Sequence, residues 1–262
     1  MILNVNNLSF GYDKRLVLKN LNFEIEKPGV LAVVGPNGVG KSTLFKLMLG
    51  LLKPKEGSIE IENKTISEYS RRELAKQMAY IPQSHYPTYN YSVLNTVIMG
   101  MVGDINMFST PSKKHIDAAF EALSELGISH LATRGYAQIS GGERQLTLIA
   151  RALVQKAKIL IMDEPTANLD FGNQLHVMEK IRELSREGYT IIVSLHNPQH
   201  AFLYSDTSLV LHEGSVLAYG DTKTVVNHSV LESIYNIGIN LLEVENEGET
   251  TLVPMPKMRR KK

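Results

Sequence analysis

The chain has 262 residues, enough for one large α/β domain or one domain carrying an insertion. Its 28 basic and 27 acidic residues leave a net charge of +1, so no global field favours a nucleic acid partner. It has no cysteine, which excludes disulfides and thiolate–metal sites, and no run of about 18 apolar residues, which excludes a spanning helix.

Met1 opens directly into a strand pattern, as expected of a chain without a leader. Residues 1–34 read as strands and turns. Ile2, Val5, Leu8 and Phe10 are apolar, Gly11-Tyr12-Asp13 reads as a turn, and Val17, Leu18, Leu21, Phe23 and Ile25 continue. Tyr12 offers a flat ring on which a purine can stack. Gly29 to Val34 is a continuous apolar stretch suited to a buried parallel strand.

Directly after it comes Gly35-Pro36-Asn37-Gly38-Val39-Gly40-Lys41-Ser42-Thr43, which is G-x-x-x-x-G-K-S, the phosphate-binding P-loop. Leu44, Leu47, Met48 and Leu51 then keep helical spacing, so the motif has the strand and helix it requires. The three glycines let backbone N–H groups turn inward around an anion, and a helix beginning near Lys41 points its positive end at the same place. Lys41 is expected on the β- and γ-phosphates and the Ser42 hydroxyl on Mg²⁺.

Further along, Pro54 to Ser58 reads as a turn, 58–62 as a half-exposed strand and 71–78 as a helix. Met78 to Pro82 is a short buried strand ending on Gln83. Across 84–146 strand patterns vanish. Ser92 caps a helix running to Met99, Pro111-Ser112 begins another that stops at Gly127, and the stretch around Met107-Phe108 is a loop. The spacing predicts a helix over 143–157, a buried strand Ile159 to Met162, a helix over 173–187 closed by Gly188, and a buried strand 190–195 ending at His196. Asp206 to Gly220 reads as two strands, 221–236 as helical, and Asn240 to Pro254 as a hairpin around Glu247-Gly248. Pro256 to Lys262 is a basic tail, expected to be disordered. The expected division is a nucleotide-binding core of residues 1–83 and 147–225, a helical subdomain of residues 84–146, and a C-terminal segment of residues 226–262.

Two further stretches carry chemistry. Asp163 follows four apolar residues, the Walker B arrangement that sets a carboxylate to hold Mg²⁺, and Glu164 beside it can activate water against the γ-phosphate. Ser140-Gly141-Gly142-Glu143 is a glycine turn opening a helix, a second anion-binding device. One triphosphate does not need both turns in one chain, but two chains head to tail could supply one each.

On these residues the sequence resembles the ATP-binding subunit of an ATP-binding cassette (ABC) transporter over nearly its whole length. Ser140 to Glu143 resembles the signature motif, with Ile139 in the usual Leu place. The resemblance implies that Gln83 senses Mg²⁺ and the attacking water, that Asn168-Leu169-Asp170 touches a partner subunit, that His196 is the switch histidine near the γ-phosphate, and that Tyr12 stacks on adenine. Residues 91–123, His196-Asn197-Pro198 and the closing hairpin resemble the importer class for iron–siderophore complexes, haem and vitamin B12, although Met101 and the region of Asp104 depart from its usual Arg and His. Molybdate and tungstate importers carry a similar stretch, and the motor is shared with exporters.

The implied fold is an α/β P-loop NTPase of the ABC ATPase type, with a RecA-like mixed-sheet core, an antiparallel β subdomain and a helical insertion. The implied assembly is a homodimer closing on two ATP molecules with Mg²⁺, peripheral to the cytoplasmic membrane face. A polytopic permease would dock on residues 84–108, where Tyr86, Tyr89, Tyr91 and Met107 lie, and a substrate-binding protein would act through that permease. No nucleic acid is expected.

Overall fold

The computed structural model describes residues 1–83, 89–103, 110–246 and 248–257. The chain runs β1 (Leu3–Tyr12), β2 (Arg15–Ile25), β3 (Gly29–Val34), α1 (Lys41–Met48), β4 (Glu56–Ile61), β5 (Lys64–Thr65), α2 (Arg71–Gln77) and β6 (Met78–Ile81). It continues through α3 (Val93–Ile98), α4 (Lys113–Glu125), α5 (Gly141–Leu153), β7 (Ile159–Met162), α6 (Phe171–Arg186) and β8 (Thr190–Leu195). The last part is α7 (Pro198–Tyr204), β9 (Thr207–His212), β10 (Ser215–Asp221), α8 (Thr222–Val225), α9 (His228–Tyr235), β11 (Ile239–Asn246) and β12 (Glu249–Pro256). Two compact units result, one of residues 1–68 and 190–262 and one of residues 69–189.

The first unit holds an antiparallel sheet in the order β2-β1-β4-β5, the parallel strands β9-β3-β8 with β10 antiparallel at the β9 edge, and the separate hairpin β11-β12. The apolar run from Val30 to Val34 is buried, as a strand flanked on both sides must be. In α1 the helical spacing seen in the sequence buries Leu44, Leu47 and Met48 completely, together with Phe45, whereas Leu51 falls past the end of the helix and is 66% exposed. Each buried side chain contributes about 1.5–3 kcal/mol, which fixes the helix that begins at Lys41.

The second unit pairs β6 and β7 in parallel register and is otherwise helical among the described residues. Its centre is α5, which packs against α3, α4, α6 and β6 and is buried almost all round. Ser92 caps α3, accepting a hydrogen bond from the Asn95 N–H at 3.1 Å, and Gly127 follows α4 in left-handed conformation (φ 72°), as the sequence implied.

The structure corrects several expectations. The turn at the tip of β1–β2 is Asp13-Lys14, and Tyr12 belongs to the strand. Helix α5 starts at Gly141 and ends at Leu153, because the capping box of Ser140 and Glu143 starts it early. Residues 221–236 form two helices, since Asn227 turns its side chain onto the N–H of Val230 and begins α9 afresh. Helix α7 has no counterpart in the sequence reading. The loop around Met107-Phe108, the residues Tyr86 and Asp104, the hairpin tip Glu247 and the tail Arg259-Arg260-Lys261-Lys262 lie outside the described residues.

Candidate nucleotide site

In the first unit, the end of β3 delivers the chain into the P-loop. Gly35, Gly38 and Gly40 have φ values of 156°, 79° and 117°, conformations that side chains resist. At Gly40 space is also limiting, because a Cβ would lie 2.6 Å from Leu18 Cδ2 and 3.2 Å from Val17 Cγ1. The P-loop is thus moulded on β2, which the motif alone could not reveal. Lys41 is 4% exposed, and its ammonium donates to the carbonyls of Gly35 at 2.8 Å and Pro36 at 3.2 Å, arching back over the loop. Ser42 is exposed on the first turn of α1.

The same unit brings His196 to the P-loop. Strands β3 and β8 pair in parallel as far as Val34 and Leu195. The next residues are Gly35 on one strand and His196 on the other, and neighbouring strands lie about 4.8 Å apart. His196 is exposed, and Asn197 after it caps α7 through the N–H of Gln199 at 3.0 Å. Tyr12 is 48% exposed and its ring stands at 90° to that of buried Phe10, with centroids 5.1 Å apart. Lys55 donates to the Asp13 carbonyl at 2.6 Å and so pins the tip beside Tyr12.

In the second unit, Asp163 follows fully buried β7 and is 6% exposed. Its N–H donates to the Ile81 carbonyl at 2.9 Å, extending the β6–β7 pairing by one bond. The Tyr80 hydroxyl lies 3.5 Å from Asp163 Oδ2, and burial together with that carboxylate pushes Tyr80 up to about 12. Glu164 has φ 51°, a left-handed backbone that costs a non-glycine residue about 1 kcal/mol or more and is concentrated at functional turns. Gln83 Nε2 donates to Glu164 Oε2 at 2.8 Å. The structure therefore brings Gln83, Asp163 and Glu164 together at the ends of two paired strands.

Ser140 begins α5. Its hydroxyl accepts from the Glu143 N–H at 3.3 Å, while Glu143 Oε2 accepts from the Ser140 N–H at 2.7 Å, and that N–H holds the Glu143 carboxyl below its usual range. Gly142 leaves no room for a Cβ because the Asn173 side chain abuts it, and Gly141 lies against Leu169. Asn173 in turn donates to Asp170 through its N–H at 2.9 Å and its amide at 2.7 Å, holding the exposed Asp170 carboxyl low. The Ser140 turn and the Asn168-Leu169-Asp170 stretch are one packed feature, a contact that sequence spacing did not disclose.

Among the described residues no three His, Cys, Asp or Glu side chains gather into a metal cage. The first unit offers the exposed Ser42 hydroxyl at the start of α1, and the second offers the Asp163 carboxylate and the Gln83 amide just past β7 and β6. Each carries an oxygen of the kind that Mg²⁺ takes alongside waters and phosphate oxygens.

Comparison with known proteins agrees with these features. Residues 18–167 match the family model described as ABC transporter. A Haemophilus influenzae ABC transporter ATP-binding protein without assigned cargo is 43% identical over 242 residues, covering 92% of each chain. A Helicobacter pylori protein assigned to iron chelatin transport is 36% identical, covering 94% of this chain and 98% of its own. A solved transporter assigned to the metal-chelate type, captured facing inward, superposes with a TM-score of 0.89 at 31% identity and 98% coverage of both chains.

Proposed function

The chain belongs to the ABC transporter family, and from that membership we propose that it is the ATP-hydrolysing subunit of a membrane importer for iron chelates. The observation that supports the catalytic reading best is the β3–β8 register, which sets His196 beside the first P-loop glycine. The importer and its cargo follow from the relatives and from the metal-chelate transporter.

In this reading Tyr12 stacks on adenine, and the N–H groups of 38–43 with the Lys41 ammonium hold the β- and γ-phosphates. The Ser42 hydroxyl, the Asp163 carboxylate and the Gln83 amide are the groups that would hold Mg²⁺, and the ion would neutralise charge on the phosphates. Glu164 accepts the proton of the attacking water, Gln83 orients that carboxylate, and His196 donates to the γ-phosphate. Catalysis is mainly placement and charge stabilisation. The turn Ser140 to Gly142 presents the start of α5, with the N–H groups of Gly141 and Gly142, to the γ-phosphate held by a second copy, and Asp170 contacts that copy.

Among the described residues no helix is long and apolar enough to cross a membrane. From the family membership, cargo passes through separate permease subunits, to which this subunit is peripheral on the cytoplasmic side, with a binding protein delivering cargo. The exposed pair Tyr89 and Tyr91, whose rings meet 6.0 Å apart, lies in the described part of the stretch 84–108 assigned to the permease. ATP-dependent uptake by the assembled transporter tests the reading, with a ferric siderophore, haem, cobalamin and molybdate offered in turn. Uptake of the ferric chelate supports it. Uptake of molybdate alone would replace the cargo and leave the motor intact, and outward transport alone would overturn import.

A further inference from the structure

His196 stands where the regular bonding of the sheet ends. The β3–β8 ladder closes at Val34 and Leu195, and the chain then bends into α7 with Pro198 in its first turn. The carbonyl of His196 thus lies one residue past the strand, at a hinge. Tyr235, the last residue of α9, donates its hydroxyl to that carbonyl at 2.9 Å, across 39 positions of sequence. Burial pushes the phenol up to about 12, so it is an O–H donor throughout the working range.

The helix that carries Tyr235 is itself anchored. Leu231 and Ile234 are buried, and Glu232 accepts from the Ile239 N–H at 3.2 Å and from Lys257 Nζ at 3.0 Å. The first residue of β11 and the residue that follows β12 are therefore tied to α9. Asn236 after Tyr235 closes the helix in left-handed conformation, with its N–H on the Glu232 carbonyl.

We propose that Tyr235 is a positioning residue for ATP hydrolysis, fixing the main chain of His196 so that its imidazole meets the γ-phosphate in one geometry. This rests on the role given to His196 above. A hydroxyl-to-carbonyl bond is directional, and it acts at the bend from which the imidazole projects. Loosening at that bend becomes displacement at the ring, and small misplacements of a reacting group are costly to rate. Tyr235 serves turnover more than nucleotide affinity, because within this chain the adenine and most of the phosphate contacts are assigned to β1 and the P-loop.

Tyr235→Phe in the full chain tests the tether, since it removes the donor and keeps the ring. In the assembled transporter kcat should fall about five- to ten-fold, the loss expected of one hydrogen bond, while KM for ATP stays within about two-fold. In the isolated chain, the imidazole resonance of His196, identified by its loss in His196→Ala, should shift and broaden. The remaining histidine resonances should stay in place. An unchanged kcat would overturn the proposal, and so would a loss of rate with an unmoved His196 resonance, which marks a general structural role. Full hydrolysis by His196→Ala would instead remove His196 from the mechanism, an outcome that the resonance of Tyr235→Phe keeps separate from failure of the tether.

Discussion

Gln83 Nε2 donates a 2.8 Å hydrogen bond to Glu164 Oε2, joining the residues that follow two paired strands. The pairing explains the meeting. Strands β6 and β7 run parallel in register to Ile81 and Met162, and the Asp163 N–H on the Ile81 carbonyl carries the alignment one step further. Gln83 and Glu164 then leave the sheet side by side. A bond to a carboxylate is stronger than a neutral one, and here it orients the proposed proton acceptor. Gln83→Ala should lower kcat about ten-fold and leave KM for ATP within two-fold. Steady-state ATPase rates decide it, and a raised KM with normal kcat would assign Gln83 to binding instead.

The proposed adenine platform makes a different kind of forecast. Tyr12 is exposed and braced by Phe10, so its loss should change affinity and leave the chemical step alone. Aromatic stacking on a base is worth about 1–3 kcal/mol. Tyr12→Ala should therefore raise KM for ATP about ten-fold, with kcat nearly unchanged, whereas Tyr12→Phe should behave as the parent. The chain has no tryptophan, so Tyr12→Trp provides a single indole whose emission nucleotide should quench. An indole indifferent to ATP would place adenine elsewhere.

Much of this site was readable in the sequence because its chemistry is local. The P-loop needs an apolar strand, glycines and a helix within about twenty residues, and β3, Gly35 to Gly40 and α1 supply them in that order. Asp163 was legible because β7 is apolar at all four positions. What escaped depends on contacts between distant segments. Nothing near Tyr235 marks it as the partner of the His196 carbonyl, and nothing in Val17-Leu18 announces that they press on Gly40. The continuous helix expected over 221–236 failed for a local reason that periodicity hides: the Asn227 side chain can satisfy a helix start, so α9 begins there. The turn at Ser140 was legible as the opening of a helix from its two glycines, but its capping box with Glu143 and its packing against Leu169 and Asn173 were not.

His200 on α7 is 3% exposed, with its ring edge-on to Tyr204 at 6.2 Å. Burial lowers its pKa below the ordinary value, so the folded chain holds it neutral. The sign follows from linkage: protons bind the unfolded chain better, and the stability is fully present above the ordinary value of about 6.5. It is lost as the pH falls below that value towards the depressed folded one. The slope can reach about 1.4 kcal/mol per pH unit for one proton. Thermal melts at pH 7.5 and 5.5 should show a larger drop for the parent than for His200→Phe. Equal drops would mean that other groups carry the acid sensitivity.

Glu164→Gln separates binding from hydrolysis. It keeps size and polarity and removes the proton acceptor, and loss of a general base costs about 10²–10⁴ in rate. The contacts assigned to phosphate belong to Lys41, Ser42 and the N–H groups of the P-loop, all untouched, so ATP should still bind. If Ser140 to Gly142 of a second copy grips the same γ-phosphate, blocked hydrolysis should leave that grip in place. Light scattering should then find Glu164→Gln dimeric with ATP and Mg²⁺ and monomeric with ADP. Adding Ser140→Arg should abolish the dimer, because a bulky side chain would fill a turn in which even a Cβ on Gly142 meets Asn173. The measurement belongs on the assembled transporter as well, where permease subunits would hold two copies together and closure can be read by a cross-link between them. A hydrolysis-dead Glu164→Gln that closes in neither setting would count against the two-copy site. Full hydrolysis by Glu164→Gln would move the proton acceptor to His196, and the left-handed backbone at Glu164 would then serve only the turn.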